Sequence, residues 1–275
     1  MAKNRKGLIA AGALIVIAAA AYALLFGKLF PFSPVLVGFE RTDLRNAVVY
    51  AQKGYDFGDL GWIDSAFAGL EEFHGLRFAS RPRIILFGSD RTYAMRSISR
   101  ARLCAFYNGT IVVSPRASRE DREGLISLRV YMTHELSHIL LFQNMGLPAS
   151  LRYPKWLLEG IATLAADQMG ATFYPTRDET VRLISLGNWM PPDVFGTRAE
   201  DGIRIDAENR MPFIYCEFAL IVDDLIHRFG RDRFHRFMTG LTFWSSHDRL
   251  FRDVFGMSFG DYISEFREKV AGSIR

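Results

Sequence analysis

Residues 131–142 read Tyr-Met-Thr-His-Glu-Leu-Ser-His-Ile-Leu-Leu-Phe, and the His134-Glu135-x-x-His138 pattern inside them constrains the fold more than any other feature of the chain. On an α-helix, residues four apart lie one above the other on the same face, so both imidazoles can reach one ion. Glu135 follows His134 by about 100° around the helix, which sets its carboxylate beside the ion, placed to take a proton from water rather than to ligate. Val130, Leu136, Ile139, Leu140 and Phe142 give the same segment a broad apolar surface, as suits a helix on the floor of a cleft. The alternative is a hydrogen-bonded histidine pair inside a core.

A catalytic zinc takes three protein ligands and keeps a fourth position for water, so a third ligand is needed. Downstream stands Pro154-Lys155-Trp156-Leu157-Leu158-Glu159-Gly160-Ile161-Ala162. Pro154 suits the first turn of a helix whose apolar face is Trp156, Leu157, Ile161 and Leu164. Glu159 lies within that apolar run, where an unpaired carboxylate is costly. A metal resolves the cost, and so would a salt bridge to Arg or Lys. The metal set expected is His134, His138 and Glu159 around Zn2+, with Glu135 as general base.

Around these residues the pattern is that of an α+β domain. Leu60, Ile63, Phe67, Leu70 and Phe73 recur at helical spacing and predict a helix near 60–74. Ile84–Phe87 reads as a buried strand, and Thr110–Val113, after the Asn108-Gly109 turn signal, as a second one. Helices are expected over 121–145, 154–169, 212–229 and 258–270, with a long surface loop over 187–212. A small mixed sheet with helices, followed by a mostly helical C-terminal lobe and a cleft between them, is the expected architecture. A chain of 275 residues with 49% hydrophobic and 13% aromatic residues has ample material for such a core.

The N-terminus reads separately. Lys3, Arg5 and Lys6 precede an uncharged run from Gly7 to Phe26 of about bilayer-spanning length. The basic flank is expected to stay cytoplasmic, which puts the rest of the chain outside the cytoplasm. Two export readings compete: an uncleaved signal anchor, favoured by the apolar Leu24, Leu25 and Phe26, and a cleaved signal with Ala21-Tyr22-Ala23 as its small-x-small site. A buried core helix is a third. The resulting division is a basic tail 1–6, a transmembrane anchor 7–26, a stiff Pro-containing linker 27–40 and a catalytic domain 41–275. The net charge of +4 is mild and no basic stripe is interleaved with aromatics, so no nucleic-acid partner is expected. Cys104 and Cys216 are open to pairing or to service as small buried hydrophobes. His74, His227, His235 and His247 have no metal spacing and are assigned to structural or surface roles, with His227 the one that could approach the cleft. Nothing in the pattern sets an oligomeric state.

His134-Glu-Leu-Ser-His138 followed by Trp156-Leu-Leu-Glu-Gly-Ile-Ala162 resembles the gluzincin metallopeptidases, and most closely the bacterial peptidase MA-like domains of that group. The resemblance covers roughly residues 83–270. It implies a zinc peptidase with Glu159 as third ligand and a peptide or protein substrate. It further implies that Gly109–Pro115 is the edge strand lining the cleft and that Tyr215 helps hold the oxyanion; a core tyrosine is the other reading of Tyr215. Phe251-x-x-Val254-Phe255-Gly256, with Tyr262 and Phe266, resembles the helical ending of these domains. One departure stands out. Where some gluzincins carry an acidic residue one turn after the glutamate ligand, to orient the first histidine, this chain has Thr163, with Asp167 a further turn on. Another group must orient His134. Two functions of other classes stay open: a membrane-tethered binding or scaffold module of the same fold, and a zinc amidase acting on a non-protein substrate.

Overall fold

The structure, a computed structural model, describes residues 2–243 and 246–272, with side chains from Ala11 onward. In chain order come helix α1 (Ala2–Leu25), strands β1 (Phe39–Asp43) and β2 (Val48–Gln52), helix α2 (Ala66–His74), strand β3 (Arg83–Leu86), helix α3 (Asp90–Arg96), and strands β4 (Leu103–Phe106) and β5 (Thr110–Val113). Then follow α4 (Pro115–Arg122), α5 (Leu128–Gln143), α6 (Leu147–Ser150), α7 (Lys155–Ala165), α8 (Arg177–Ser185), α9 (Arg210–Phe229), α10 (Arg231–Gly240), α11 (His247–Phe255) and α12 (Phe259–Gly272). The class is α+β, as the sequence predicts.

The sheet runs β1-β2-β3-β5-β4, with β2, β3 and β5 parallel and the two edge strands antiparallel to their neighbours. The continuous apolar run in β3 follows from burial on both faces. Ile84 and Leu86 point to a core shared with Phe67 and Leu70 of α2 and with Met132, Leu136, Ile139 and Leu140 of α5. Ile85, one step out of phase, points to the opposite face. There it meets Phe30, Leu36, Phe39, Phe87 and Tyr93. The stretch read as a linker therefore contributes to packing: Phe30 is fully buried, and Arg83 donates to the carbonyls of Pro31 at 2.9 Å and Ser33 at 2.8 Å.

Two expectations need correction. The helix expected over 121–145 is two helices, α4 and α5. Gly124 adopts φ +70°, a left-handed conformation that stops α4, and the Ser127 hydroxyl accepts from the Val130 amide to cap the start of α5. The edge strand of the cleft is β4; Thr110–Val113 is internal, between β3 and β4. The Asn108-Gly109 turn, with Gly109 at φ +79°, folds β4 back along β5, and β4 takes the outer position.

The helical lobe has its own core, built around Trp156, Phe213, Phe218, Phe234, Phe237 and Tyr262. Within it α7 and α9 meet backbone to backbone. A Cβ on Gly160 would lie 2.6 Å from the Phe218 carbonyl oxygen, so only glycine permits this approach. The close packing fixes the neighbouring Glu159 against α5. The expected loop over 187–212 holds, apart from one short 3-10 turn at Arg198–Gly202 and the first residues of α9. Cys104 and Cys216 are both free.

In α1 the side chains of residues 11–22 are exposed, with Leu14, Ile15, Val16 and Ile17 each 65–69% accessible, so it is no core helix. Among the described residues no helix is long and apolar enough to cross a membrane. The first residues of the expected 7–26 span, 7–10, lie outside the residues whose side chains are described.

Candidate metal centre

The α5 helix carries His134 and His138 on its cleft-facing side, and α7 lays Glu159 across from them. The three donor atoms converge: His134 Nε2 lies 3.0 Å from His138 Nε2 and 3.2 Å from Glu159 Oε2, and His138 Nε2 lies 3.6 Å from that same oxygen. Three donors of a tetrahedral zinc, bonded at about 2.0–2.1 Å, stand about 3.3 Å apart. The spacing fits that ion without rearrangement.

The donor chemistry points the same way. His134 donates its Nδ1 proton to the Gln168 side-chain oxygen at 2.8 Å, which leaves Nε2 with a lone pair aimed into the cluster. That lone pair faces a second ring nitrogen and a carboxylate oxygen, a set that a cation at its centre would satisfy. His134 and His138 are 6% and 7% exposed, so water is a poor substitute. Burial would raise the Glu159 carboxyl, but the two imidazoles outweigh it and hold the group below the usual carboxylate range. Burial likewise would lower His138, and the Glu159 carboxylate overrides it and raises the ring.

Gln168 is the orienting group that the sequence left unassigned. It is 1% exposed and follows Asp167, whose φ of +48° turns the chain sharply off the end of α7. The Gln168 amide donates back to the Thr163 carbonyl at 3.1 Å, closing that turn. Asp is one of the few non-glycine residues that tolerate this conformation. Thr163 itself does not replace the acidic residue: among the described residues its buried hydroxyl has no hydrogen-bond partner. No residue-type signal marks a carboxamide for this task, which is why sequence reasoning missed it.

Glu135 stands apart from the donor cluster. One of its oxygens accepts from the backbone amide of Ala105 on β4 at 2.7 Å, so the carboxylate bridges α5 and the sheet edge. Tyr215, from α9, stacks on the His134 ring at 5.9 Å between centroids and 13° between planes. Burial, then the Glu159 charge, pushes its phenol well above the ordinary tyrosine value, so the hydroxyl keeps its proton. All five expected site residues line one cleft of about 640 Å³, together with Tyr131, Phe173 and Tyr174. Phe173 and Tyr174 were not read from the sequence, because they fall in a loop without periodicity, and Tyr131 lies on α5 itself.

The other histidines lie elsewhere. His74 is fully buried beneath α5, bonded to the Leu70 carbonyl at 2.8 Å and the Ser137 hydroxyl at 3.0 Å, and burial pushes its pKa down to about 4. It braces the motif helix from below. His227 pairs with Asp223 on the surface and lines a separate groove, so it does not approach the cleft. His235 bonds the Phe73 carbonyl, and His247 packs among Trp156, Phe237 and Phe259.

Comparison with known proteins gives only distant likenesses. No family model and no curated protein matches the chain. Among solved structures it is similar to an M1 zinc metallopeptidase from Deinococcus radiodurans, at 17% identity and a TM-score of 0.46 over 84% of this chain and 49% of that one. It is also similar to a two-domain M1 zinc metallopeptidase variant bound to L-arginine, at 13% identity and a TM-score of 0.46 over 84% and 50%. The chain spans about half the length of these structures. A likeness of this size carries no argument about activity, and the function below rests on the site.

Proposed function

We propose that this protein is a zinc-dependent peptidase, with His134, His138 and Glu159 as the metal ligands and Glu135 as general base. The observation that carries the reading is the convergence of two imidazole nitrogens and a carboxylate oxygen at 3.0–3.6 Å, with the first ring locked by Gln168 in the ligating tautomer. When bound, zinc supplies the Lewis acidity that activates water and polarises a carbonyl. The remaining work belongs to the chain. Glu135, held by the Ala105 amide, accepts the proton of the attacking water and passes it to the departing amine. The Tyr215 hydroxyl, protonated throughout, donates to the oxyanion as it develops. The outer edge of β4 offers backbone groups along the cleft beside the Ala105 amide that Glu135 holds, and an extended peptide can add there as a further strand.

Metal analysis tests this directly. Full-length protein is expected to bind about one zinc per chain, and Glu135→Gln to keep that zinc while losing hydrolysis. Zinc binding without turnover on any peptide would favour the binding-module reading, and turnover confined to non-protein amides the amidase reading.

We also propose, from the sequence, that the catalytic domain is tethered outside the cytoplasm through Gly7–Phe26, behind Lys3, Arg5 and Lys6. The unpacked apolar surface of α1 supports the reading. A C-terminal reporter active only in the cytoplasm would sink it, and N-terminal sequencing of the mature protein separates an anchor from a cleaved signal.

A further inference from the structure

At one side of the cleft, two guanidinium groups bind a single carboxylate, and a third arginine lines the cleft beside them. Arg102, just ahead of β4, binds Glu120 of α4 through Nε and through Nη2, the latter at 3.3 Å. Arg116 binds the same carboxylate through Nε at 2.6 Å. Arg100 is exposed on the same wall and has no partner among the described residues. One arginine would neutralise Glu120, so the corner carries an excess of positive charge. Burial would raise Glu120, but Arg102 and Arg116 override it and keep the carboxyl ionised.

The corner also packs against an aromatic ring and still has donors to give. Arg102 lies over the Phe173 ring at 5.3 Å, and Phe173 lines the cleft. Among the described residues, Nη1 of Arg102 and both Nη atoms of Arg116 make no hydrogen bond. Among the described residues, the carboxylates lining the cleft are Glu135 and Glu159, the first tied to the Ala105 amide and the second facing the imidazoles. Neither carboxylate is left over to pair with a substrate ammonium group, whereas guanidinium forks suit a carboxylate.

We propose that Arg100, Arg102 and Arg116 form a subsite for a substrate carboxylate, either an Asp or Glu side chain or the C-terminal carboxylate of a peptide. The proposal takes its setting from the peptidase reading, since the subsite lies in the same cleft, but it concerns recognition rather than hydrolysis.

The test uses full-length, zinc-loaded Glu135→Gln and measures binding of three fluorescent peptides. One is neutral with an amidated C-terminus, one replaces an Asn by Asp, and one has a free C-terminal carboxylate; kcat/KM on the same set is measured with wild type. At least one carboxylate peptide is expected to bind about tenfold tighter or better than the neutral one, as for charge-assisted hydrogen bonds. That advantage should shrink as salt rises. It should collapse towards unity when Arg100→Gln and Arg116→Gln are added together, and persist with Arg119→Gln, whose partner is Asp90 outside the cleft. An advantage confined to the Asp peptide identifies a side-chain subsite; one confined to the free terminus identifies a terminal-carboxylate subsite. Circular dichroism verifies folding of the double variant, and single Arg100→Gln, at an exposed site, gives the same test with a smaller drop. Equal binding of all three peptides, or an advantage that survives the double variant, overturns the proposal. A carboxylate advantage without wild-type turnover leaves the subsite standing and removes the peptidase reading; turnover without the advantage does the reverse.

Discussion

Two carboxylates in the helical half of this protein, one partly and one fully buried, are driven in opposite directions by their surroundings. Glu159, on α7, faces two imidazole nitrogens and is held below the usual carboxylate range despite burial. Glu217, on α9, is fully buried, and burial pushes it well above that range. Its two oxygens share one donor, the Met190 amide, at 3.2 and 3.1 Å, and Arg267 pulls it down only partly. The first is an anion waiting for a cation. The second is shifted towards its neutral form, and its contact with Met190 ties the 187–212 segment to α9. Burial alone does not make a carboxylate functional; what decides is whether its neighbours supply positive charge or a lone amide.

Replacing each carboxylate by its amide sharpens the contrast most. Glu159→Gln is expected to weaken zinc binding by roughly 1,000-fold or more, beyond the 10–100-fold typical of losing an outer support. Glu217→Gln should bind zinc as wild type does, and a loss there would dissolve the distinction.

Tyr215→Phe removes only a hydroxyl beside Glu159. If that hydroxyl holds the oxyanion, kcat and kcat/KM fall together by about 100–1,000-fold, with zinc content and thermal stability nearly unchanged. Near-normal turnover in a folded, zinc-loaded variant would return Tyr215 to the packing of the lobe.

The support of His134 comes next in size. Gln168→Leu should lower zinc affinity by about 10–100-fold through loss of tautomer and orientation, while Gln168→Glu restores it. Equal affinities in all three proteins, measured by chelator competition, would show that the ring needs no such partner.

On the pH axis the effect is smaller. Glu217 stays protonated in the fold while its unfolded counterpart ionises near the ordinary value of 4.5, so its contribution to stability is present below that pH and is lost as pH rises. Glu217→Gln removes this dependence. Its stability relative to wild type, from urea unfolding of metal-free protein, should rise by about 1 kcal/mol between pH 5 and pH 6. A flat difference over that interval would mean that Glu217 ionises normally.

The same pair shows how far sequence reading reaches. Both glutamates sit in apolar helical runs, Trp156-Leu-Leu-Glu159-Gly-Ile and Ile214-Tyr-Cys-Glu217-Phe-Ala, and only the first was singled out. It was legible because His134 and His138 demanded a third ligand. Glu217 answers to Met190, a backbone group that leaves no mark in a sequence. The strands β1, β2 and β4 were unread for a related reason: they are short, and β1 and β4 are largely half-buried or exposed, so alternation is weak. Strand β3, buried on both faces, declares itself in Ile84–Phe87. The helix expected over 121–145 ignored Gly124 and Ser127, a stop and a cap lying between two stretches of helical character.

The central claim, that the cluster at His134, His138 and Glu159 is a zinc site whose base is Glu135, is tested most directly by zinc content and peptide hydrolysis measured on the same full-length preparations. Wild type and Glu135→Gln are predicted to hold about one zinc per chain, with hydrolysis only in wild type, and His138→Ala to hold almost none. A wild-type protein that takes up no zinc at neutral pH, or a His138→Ala variant that retains it fully, would contradict the account.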